Sequence, residues 1–180
     1  IRLMETYVKP YKKVFADQED IKIPNDIDDK LINALVFSAI WGIGGCTDET
    51  TRGNFDIFFQ DLLIGENVIE KYKVDLGKLK YEPMKIPNKI GEFKSLFEIN
   101  FDQDEMKWIN WFNTVDKYVI DKDMSYLQLS IPTIDSIRVN NICKTLLLND
   151  KHCLLVGPTG TGKSVSLNQL LKDNFDNEHW

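Results

Sequence analysis

The stretch "LLVGPTGTGKSVSL", residues 154–167, decides how the rest of this sequence is interpreted. Within it, Gly157, Gly162, Lys163 and Ser164 fit the pattern G-x-x-x-x-G-K-[ST]. Glycines allow positive φ and leave no side chain between backbone and anion, so successive N–H groups can point at one phosphate. The lysine adds a mobile positive charge, and the hydroxyl can ligate Mg²⁺. The stretch therefore predicts a phosphate-binding loop (P-loop).

The residues on either side supply the context that a P-loop needs. "KHCLLV" (151–156) is short and apolar, which is typical of a buried strand, and "GKSVSLNQLLKDNF" (162–175) predicts a helix. The expected ligand is ATP or ADP with Mg²⁺, and the metal is assigned to Ser164. The predicted nucleotide-binding residues of the loop are Gly157, Pro158, Thr159, Gly160, Thr161, Gly162, Lys163, Ser164 and Val165.

The first part of the chain is predicted to be helical. "IRLMETYVKPYKKVF" (1–15) favours a helix that Pro10 kinks or divides. A second helix, capped by Asp28 or Asp29, carries "LINALVFSAIW" (31–41) and is apolar on nearly every side, so it is predicted to be buried.

A third predicted helix starts near Thr50 or Thr51 and ends at Gly65. The glycines of "WGIGG" (41–45) are not interpreted as a second phosphate loop, because they follow a helix and lack a lysine. They predict a helix terminus with a left-handed exit.

The character of the sequence changes after residue 65. Residues 66–93 are charged and interrupted by prolines, which indicates a connector. "SLFEINF" (95–101) and "MKWINWF" (106–112) flank an acidic turn and predict a β-hairpin. Trp108, Trp111 and Phe112 could stack on a nucleic-acid base, but no basic residues are interleaved with them, so packing within the hairpin is favoured.

A further helix is predicted over "TIDSIRVNNICKTLLLND" (133–150), with Thr133 or Asp135 as its cap. The net charge of -6 argues against a nucleic-acid partner, and no apolar run approaches membrane-spanning length. The N-terminus has no apolar core of a secretory leader and no initiating methionine, so we expect an excerpt of a longer protein.

The three cysteines, Cys46, Cys143 and Cys153, have no metal-ligand spacing. They are interpreted as small buried residues in a reducing compartment.

The sequence after Lys163 lacks the other parts of a phosphoryl-transfer site. Such a site also needs an acidic residue for Mg²⁺, a residue that positions water and a cation for the transition state. No apolar strand ending in an acid follows the loop. We therefore expect no catalytic residues within this chain and no ATP hydrolysis by the chain alone.

The order of these segments resembles the motor region of dynein heavy chains. "FSAIWGIGGCTDETTRGNFDIFFQDLL" (37–63) is similar to the helical subdomain that closes the second AAA+ module. "LFEINFDQDEMKWINW" (96–111) resembles the connector after it, and "IPTIDSIR" (131–138) the segment leading into the third module. "LLVGPTGTGKSV" (154–165) is similar to the Walker A loop of that module.

The resemblance implies a mixed α and β fold in three parts. Residues 1–65 would be the helical small subdomain of an AAA+ module, and residues 66–125 the connector with its hairpin. Residues 126–180 would open the next module with a strand, the P-loop and a helix of an incomplete α/β P-loop NTPase domain. Ile131, Pro132 and Thr133 match the family's segment that packs near the adenine.

The resemblance also implies a function. The parent would be an ATPase that moves along microtubules, of axonemal type, located in the axoneme of a cilium or flagellum, with the cytoplasm as the alternative. Its partners would be the rest of the heavy-chain ring, microtubules, and dynein intermediate and light chains, with no nucleic acid and no membrane. The site in the third module would be regulatory.

Two alternatives remain open at this point. One is an unrelated P-loop NTPase or kinase preceded by a helical domain, which "IPTIDSIR" disfavours. The other is a structural module in which nucleotide is not hydrolysed or is absent.

Overall fold

The computed structural model describes residues 2–16, 26–64, 68–75, 77, 94–102, 105–115 and 131–174. The described helices and strands are α1 (Arg2–Ala16), α2 (Ile27–Gly42), α3 (Glu49–Ile64), α4 (Val68–Tyr72), β1 (Ile99–Asp102), β2 (Lys107–Asn110), α5 (Ile134–Leu147) and α6 (Lys163–Asn174). The chain divides into two compact units, Leu3–Asn110 and Trp111–Trp180. The predicted mixture of helices with a little strand is confirmed. Within these residues, no helix combines the length and apolar character that crossing a bilayer requires.

Helix α2 lies at the centre of the first unit. Its predicted burial is confirmed, since Val36, Phe37 and Ile40 are each at most 1% exposed. The Tyr7 ring of α1 meets the Phe37 ring edge to face, with 5.6 Å between the ring centroids. Helix α1 continues through Pro10, so of the two predicted effects the division is wrong and the kink stays a prediction.

Helix α2 begins two or three residues earlier than predicted. Its N-cap is Asp26, and the predicted caps Asp28 and Asp29 lie in the first turn. The Asp26 carboxylate does not cap the helix, because it pairs with Lys30 at 2.8 Å. The acidic first turn still favours helix formation, since negative charge is stabilising at the positive end of the helix dipole.

Helix α3 also begins before its predicted cap. Asp48 precedes the helix, and its Oδ1 accepts a hydrogen bond from the Thr51 N–H at 2.7 Å. This bond lowers the pKa of Asp48, because the amide dipole favours the charged carboxylate. Asp48 therefore has the capping role predicted for Thr50 or Thr51. The predicted end at Gly65 lies outside the described residues.

Glycines end α2 as predicted, but for a different reason. None of Gly42, Gly44 and Gly45 has a positive φ, so the predicted left-handed exit is wrong. A Cβ on Gly44 would lie 2.5 Å from the Phe55 ring and 2.8 Å from the Phe97 ring. The absence of a side chain at Gly44 thus lets α3 pack against the turn.

The predicted hairpin is confirmed. β1 and β2 are antiparallel, and the register pairs Ile99 with Asn110 and Phe101 with Trp108. Ile99 and Phe101 are buried on one face of β1, as the two-residue period of a strand requires. Trp108 packs on the Phe101 ring at 5.2 Å. Trp111 follows β2 in a 3-10 turn, Trp111–Thr114, that also holds Phe112, so neither is part of the hairpin.

A buried polar contact joins the hairpin to α2. The Trp108 Nε1–H donates to Asn33 Oδ1 at 2.8 Å, and Asn33 Nδ2 donates to the Asp29 carbonyl oxygen at 2.8 Å. Asn33 is 0% exposed, so these bonds compensate for the burial of its amide.

A buried carboxylate joins α3 to the segment before the hairpin. Asp56 is 8% exposed, and its Oδ1 accepts hydrogen bonds from the Leu96 N–H at 2.9 Å and Gln60 Nε2 at 3.1 Å. The carboxylate thereby satisfies a backbone donor that no strand or helix bond would satisfy.

Candidate phosphate-binding site

The site is built in the second unit, and α5 is its first fixed element. Thr133 caps α5 in a capping box: the Ser136 N–H donates to Thr133 Oγ1 at 3.2 Å, and the Thr133 N–H donates to Ser136 Oγ at 2.9 Å. The prediction of Thr133 as a cap is confirmed. Ile137 and Cys143 are the buried residues of α5.

The chain reverses direction after α5. The Asp150 N–H donates to the Leu147 carbonyl oxygen at 3.1 Å, and the Lys151 N–H donates to the Leu146 carbonyl oxygen at 3.0 Å. Asp150 has a φ of 58°, in the left-handed region. These two bonds around a left-handed residue form a Schellman motif. The segment that follows therefore leaves the helix axis at this turn.

This segment, residues 151–157, does not form the predicted strand. Leu154 is 86% exposed and Val156 is 83% exposed, so neither is buried. A strand is defined by a ladder of hydrogen bonds to a neighbour, and the only ladder in the described part of the chain joins β1 to β2. Apolar composition alone was insufficient to predict a strand here.

The loop itself has the backbone that its glycines were predicted to provide. Gly160 has a φ of 81° and Gly162 a φ of 76°, values that non-glycine residues rarely adopt. Gly157 faces the inside of the loop, where a Cβ would lie 3.7 Å from Thr161 Oγ1 and 3.8 Å from Lys163 Cδ. The space that a side chain at Gly157 would fill is thus bordered by a hydroxyl and the lysine chain.

Lys163 is folded over the loop. Its Nζ donates to the Pro158 carbonyl oxygen and to Thr161 Oγ1, the latter at 3.1 Å. Thr161 Oγ1 in turn donates to the same Pro158 oxygen at 2.9 Å. These acceptors are neutral and lie in an exposed loop, so phosphate oxygens could replace them as partners of the ammonium group.

Helix α6 starts directly at Lys163, and its first turn is anchored by a bond from the Ser166 N–H to the Gly162 carbonyl oxygen at 2.9 Å. Ser164 and Val165 are exposed at this positive helix end. The loop therefore fits a phosphate group on three counts: left-handed glycines, a mobile cation and a free helix N-terminus. Ser164 is the residue whose hydroxyl oxygen would ligate Mg²⁺.

Some of the predicted site residues lie close together in the structure. Gly157, Pro158, Thr161 and Lys163 are in contact within the loop. Ile131, Pro132 and Thr133 lie instead at the start of α5, where Ile131 is 61% exposed and Thr133 is the cap. Their predicted role near an adenine stays a prediction.

Comparison with known proteins gave matches over nearly the whole chain. The family described as "Dynein heavy chain AAA lid domain" matches residues 1–113, and the family described as "P-loop containing dynein motor region" matches residues 118–180. The loop and α6 fall in the second match.

Curated relatives agree with these families. The chain is 34% identical to "Dynein heavy chain-like protein 1" of Plasmodium falciparum and 26% identical to "Dynein axonemal heavy chain 1" of mouse, over 98% and 96% of its length. It is 26% identical, over 82% of its length, to "Dynein-1-alpha heavy chain, flagellar inner arm I1 complex" of Chlamydomonas reinhardtii. The chain spans 4% of the length of the first two relatives and 3% of the third.

Proposed function

Because this chain belongs to the dynein heavy chain family, we propose that it contributes a nucleotide-binding loop to the AAA+ ring of a microtubule motor. The observation that carries the proposal is the loop geometry: positive φ at Gly160 and Gly162, with Lys163 folded over them at the start of α6. The ligand class is ATP or ADP, with Mg²⁺ on Ser164. The first 65 residues would close one module, and residues 126–180 would open the next.

The proposed adenine contacts rest on the reversal after α5. Four extended residues from Cys153 to Gly157 would cover roughly 13 Å at strand rise. The nine residues from Cys143 back to Ile134 cover about 13.5 Å along a helix. A segment that doubles back along α5 would thus bring Gly157 level with Thr133. Ile131, Pro132 and Thr133 would then adjoin the bound nucleotide.

We assign the loop a regulatory role rather than the main hydrolytic one. Its own groups can bind and orient phosphates, since the loop amides and Lys163 provide donors and positive charge. The regulatory role itself is proposed from the resemblance of the loop to that of the third module of the family. The parent ATPase activity, its microtubule track and its intermediate and light chains are proposed from the family. The axonemal names of relatives favour a cilium or flagellum.

A binding measurement on the full-length protein tests this function. Lys163→Ala should reduce the affinity of the loop for a fluorescent ADP analogue by about 10- to 100-fold, because one charge-assisted phosphate contact contributes about 1.5–3 kcal/mol. The bound stoichiometry should fall by one equivalent per heavy chain. Lys172→Ala is the matched control, since Lys172 is an exposed lysine in the last turn of the same helix.

The regulatory role has its own readout. Microtubule gliding velocity and microtubule-stimulated ATP turnover should both change in Lys163→Ala and be unaffected in Lys172→Ala. If Lys163→Ala binds as many nucleotides per heavy chain as the wild type, the proposal of a nucleotide site at this loop is wrong. If Lys163→Ala binds one nucleotide fewer but motility is unchanged, the loop binds nucleotide and the proposed regulatory role is wrong.

A further inference from the structure

One side chain of the phosphate-binding loop stands at a position that the G-x-x-x-x-G-K-[ST] pattern leaves unspecified. Thr161 directly precedes Gly162 and Lys163. Its Oγ1 donates to the Pro158 carbonyl oxygen at 2.9 Å and accepts a hydrogen bond from Lys163 Nζ at 3.1 Å. Lys163 Nζ also donates to the same carbonyl oxygen. The hydroxyl, the ammonium group and the carbonyl oxygen therefore form a closed set of three hydrogen bonds.

The chemistry of the hydroxyl fixes the direction of these bonds. A threonine hydroxyl has one proton to donate and two lone pairs with which to accept. The Pro158 carbonyl oxygen can only accept, so it takes the proton of Thr161, and the lone pairs remain for an N–H donor. The lysine ammonium group has donors only, and it meets these lone pairs. The Thr161 hydroxyl is thus an acceptor held in place for Lys163.

The ammonium group held in this way lies next to Gly157. A Cβ on Gly157 would be 4.0 Å from Lys163 Nζ and 3.7 Å from Thr161 Oγ1. The glycine therefore leaves open a space beside the positive charge that a phosphate oxygen could fill. A lysine side chain loses rotamer freedom when it is fixed. A contact that fixes it before the ligand arrives removes that cost from binding.

We propose that Thr161 is a positioning residue, whose hydroxyl holds the Lys163 ammonium group beside Gly157 before the nucleotide binds. This inference rests on the proposed function, since it concerns the affinity of the same loop for ADP or ATP. The ammonium group has three N–H donors, so it can donate to a phosphate oxygen and keep its bond to the hydroxyl. The pattern specifies the lysine, whereas Thr161 determines where the lysine lies.

Nucleotide titration of the full-length protein tests the proposal. Thr161→Val removes the hydroxyl and keeps the branched shape, and it should weaken binding of a fluorescent ADP analogue at this loop by about three- to tenfold. Thr161→Ser keeps a hydroxyl and should bind within about twofold of the wild type. The matched control is Thr145→Val, which removes a threonine hydroxyl that donates to the Asn141 carbonyl oxygen at 2.9 Å within α5. This control should bind the analogue as the wild type does.

A double-mutant cycle shows whether the hydroxyl acts through the lysine. In the Lys163→Ala background, Thr161→Val should cause no further loss of affinity, because no ammonium group is left to hold. An equal loss in both backgrounds would overturn the proposal, since the hydroxyl would then act without the lysine. Wild-type affinity in Thr161→Val, or a loss in Thr161→Ser as large as that in Thr161→Val, would overturn it as well.

A measurement without nucleotide separates this proposal from the proposed function. Trace acetylation with acetic anhydride, read by mass spectrometry, should modify Lys163 about threefold faster in Thr161→Val than in the wild type, because one oxygen that holds its nitrogen is gone. Lys172, exposed in the last turn of α6, should react equally in both proteins. Unchanged acetylation of Lys163 with lysine-dependent nucleotide binding would overturn the positioning role alone. If Lys163→Ala binds nucleotide as the wild type does, the proposed function fails, and the positioning role fails with it.

Discussion

At the scale of single residues, Gly44 shows how one missing side chain shapes the first unit. Its backbone is not left-handed, so it is not required for a positive φ. It is required because the rings of Phe55 and Phe97 approach its Cα from two elements. Arg52 lies over the Phe97 ring at 5.1 Å, so the same ring also takes part in a cation–π contact.

We expect Gly44→Ala to lower the free energy of unfolding by about 1–3 kcal/mol, because a methyl group there forces both rings to move. Gly42→Ala is the control, since a Cβ at Gly42 would meet nothing within 4 Å. This control should change stability by less than about 1 kcal/mol. Urea denaturation of both variants makes the comparison, and equal midpoints would contradict the packing explanation.

At the scale of elements, the bond from Trp108 to Asn33 joins the hairpin to α2. Asn33→Leu should lower the free energy of unfolding by about 1–3 kcal/mol, because the indole N–H is left buried without an acceptor. Trp108→Phe removes that donor, although it also removes packing.

A double-mutant cycle isolates the bond. In Trp108→Phe, the further change Asn33→Leu should cost less than it does in the wild type, because no indole donor remains to be satisfied. Chemical denaturation of the four proteins gives the coupling energy. Strictly additive losses would show that the contact contributes nothing beyond the two side chains separately.

At the scale of the whole molecule, the two units differ in the size of their cores. Among the described residues, thirteen buried apolar residues lie in Leu3–Asn110, whereas Trp111, Ile137, Cys143 and Leu170 are those of the second unit. Burial of apolar surface is the main favourable contribution to folding, so the second unit should be the less stable of the two.

Hydrogen exchange of the 180-residue chain checks this difference. We expect amides of α6 to exchange faster than those in the centre of α2, because Leu170 is the buried apolar residue of α6 and Val165 is 58% exposed. Binding of Mg²⁺ and ADP should slow the exchange of α6 and leave α2 unchanged. Uniform exchange in both helices would contradict two independent units.

The sequence predicted those features that depend on neighbouring residues. The hairpin followed from alternation and an acidic turn, and the cap at Thr133 from a hydroxyl preceding the helical pattern. The left-handed Gly162 followed from the P-loop pattern, whereas Gly160 occupies one of its unspecified positions and Gly157 is not left-handed. In each case, the physical cause lies within a few residues of the effect.

Features that depend on distant residues could not be predicted. The close approach of Phe97 to Gly44 joins segments far apart in the sequence, so the sequence predicted only a left-handed exit at the glycines of "WGIGG". Residues 151–156 have the composition of a strand, but a strand needs a pairing partner that the composition does not reveal. The Schellman motif that ends α5 depends on a left-handed Asp150, where a glycine would have been the recognisable signal.

The buried indole of Trp108 also gives this protein a natural spectroscopic reporter. Its N–H proton is held by an amide oxygen with no exposed surface, so solvent reaches it only when the hairpin and α2 separate. Selective labelling of tryptophan in this chain gives four indole signals, and Trp108→Phe identifies the one that belongs to Trp108. The hydrogen-exchange rate of this indole N–H would then report how often the contact between the hairpin and α2 opens, without any added probe.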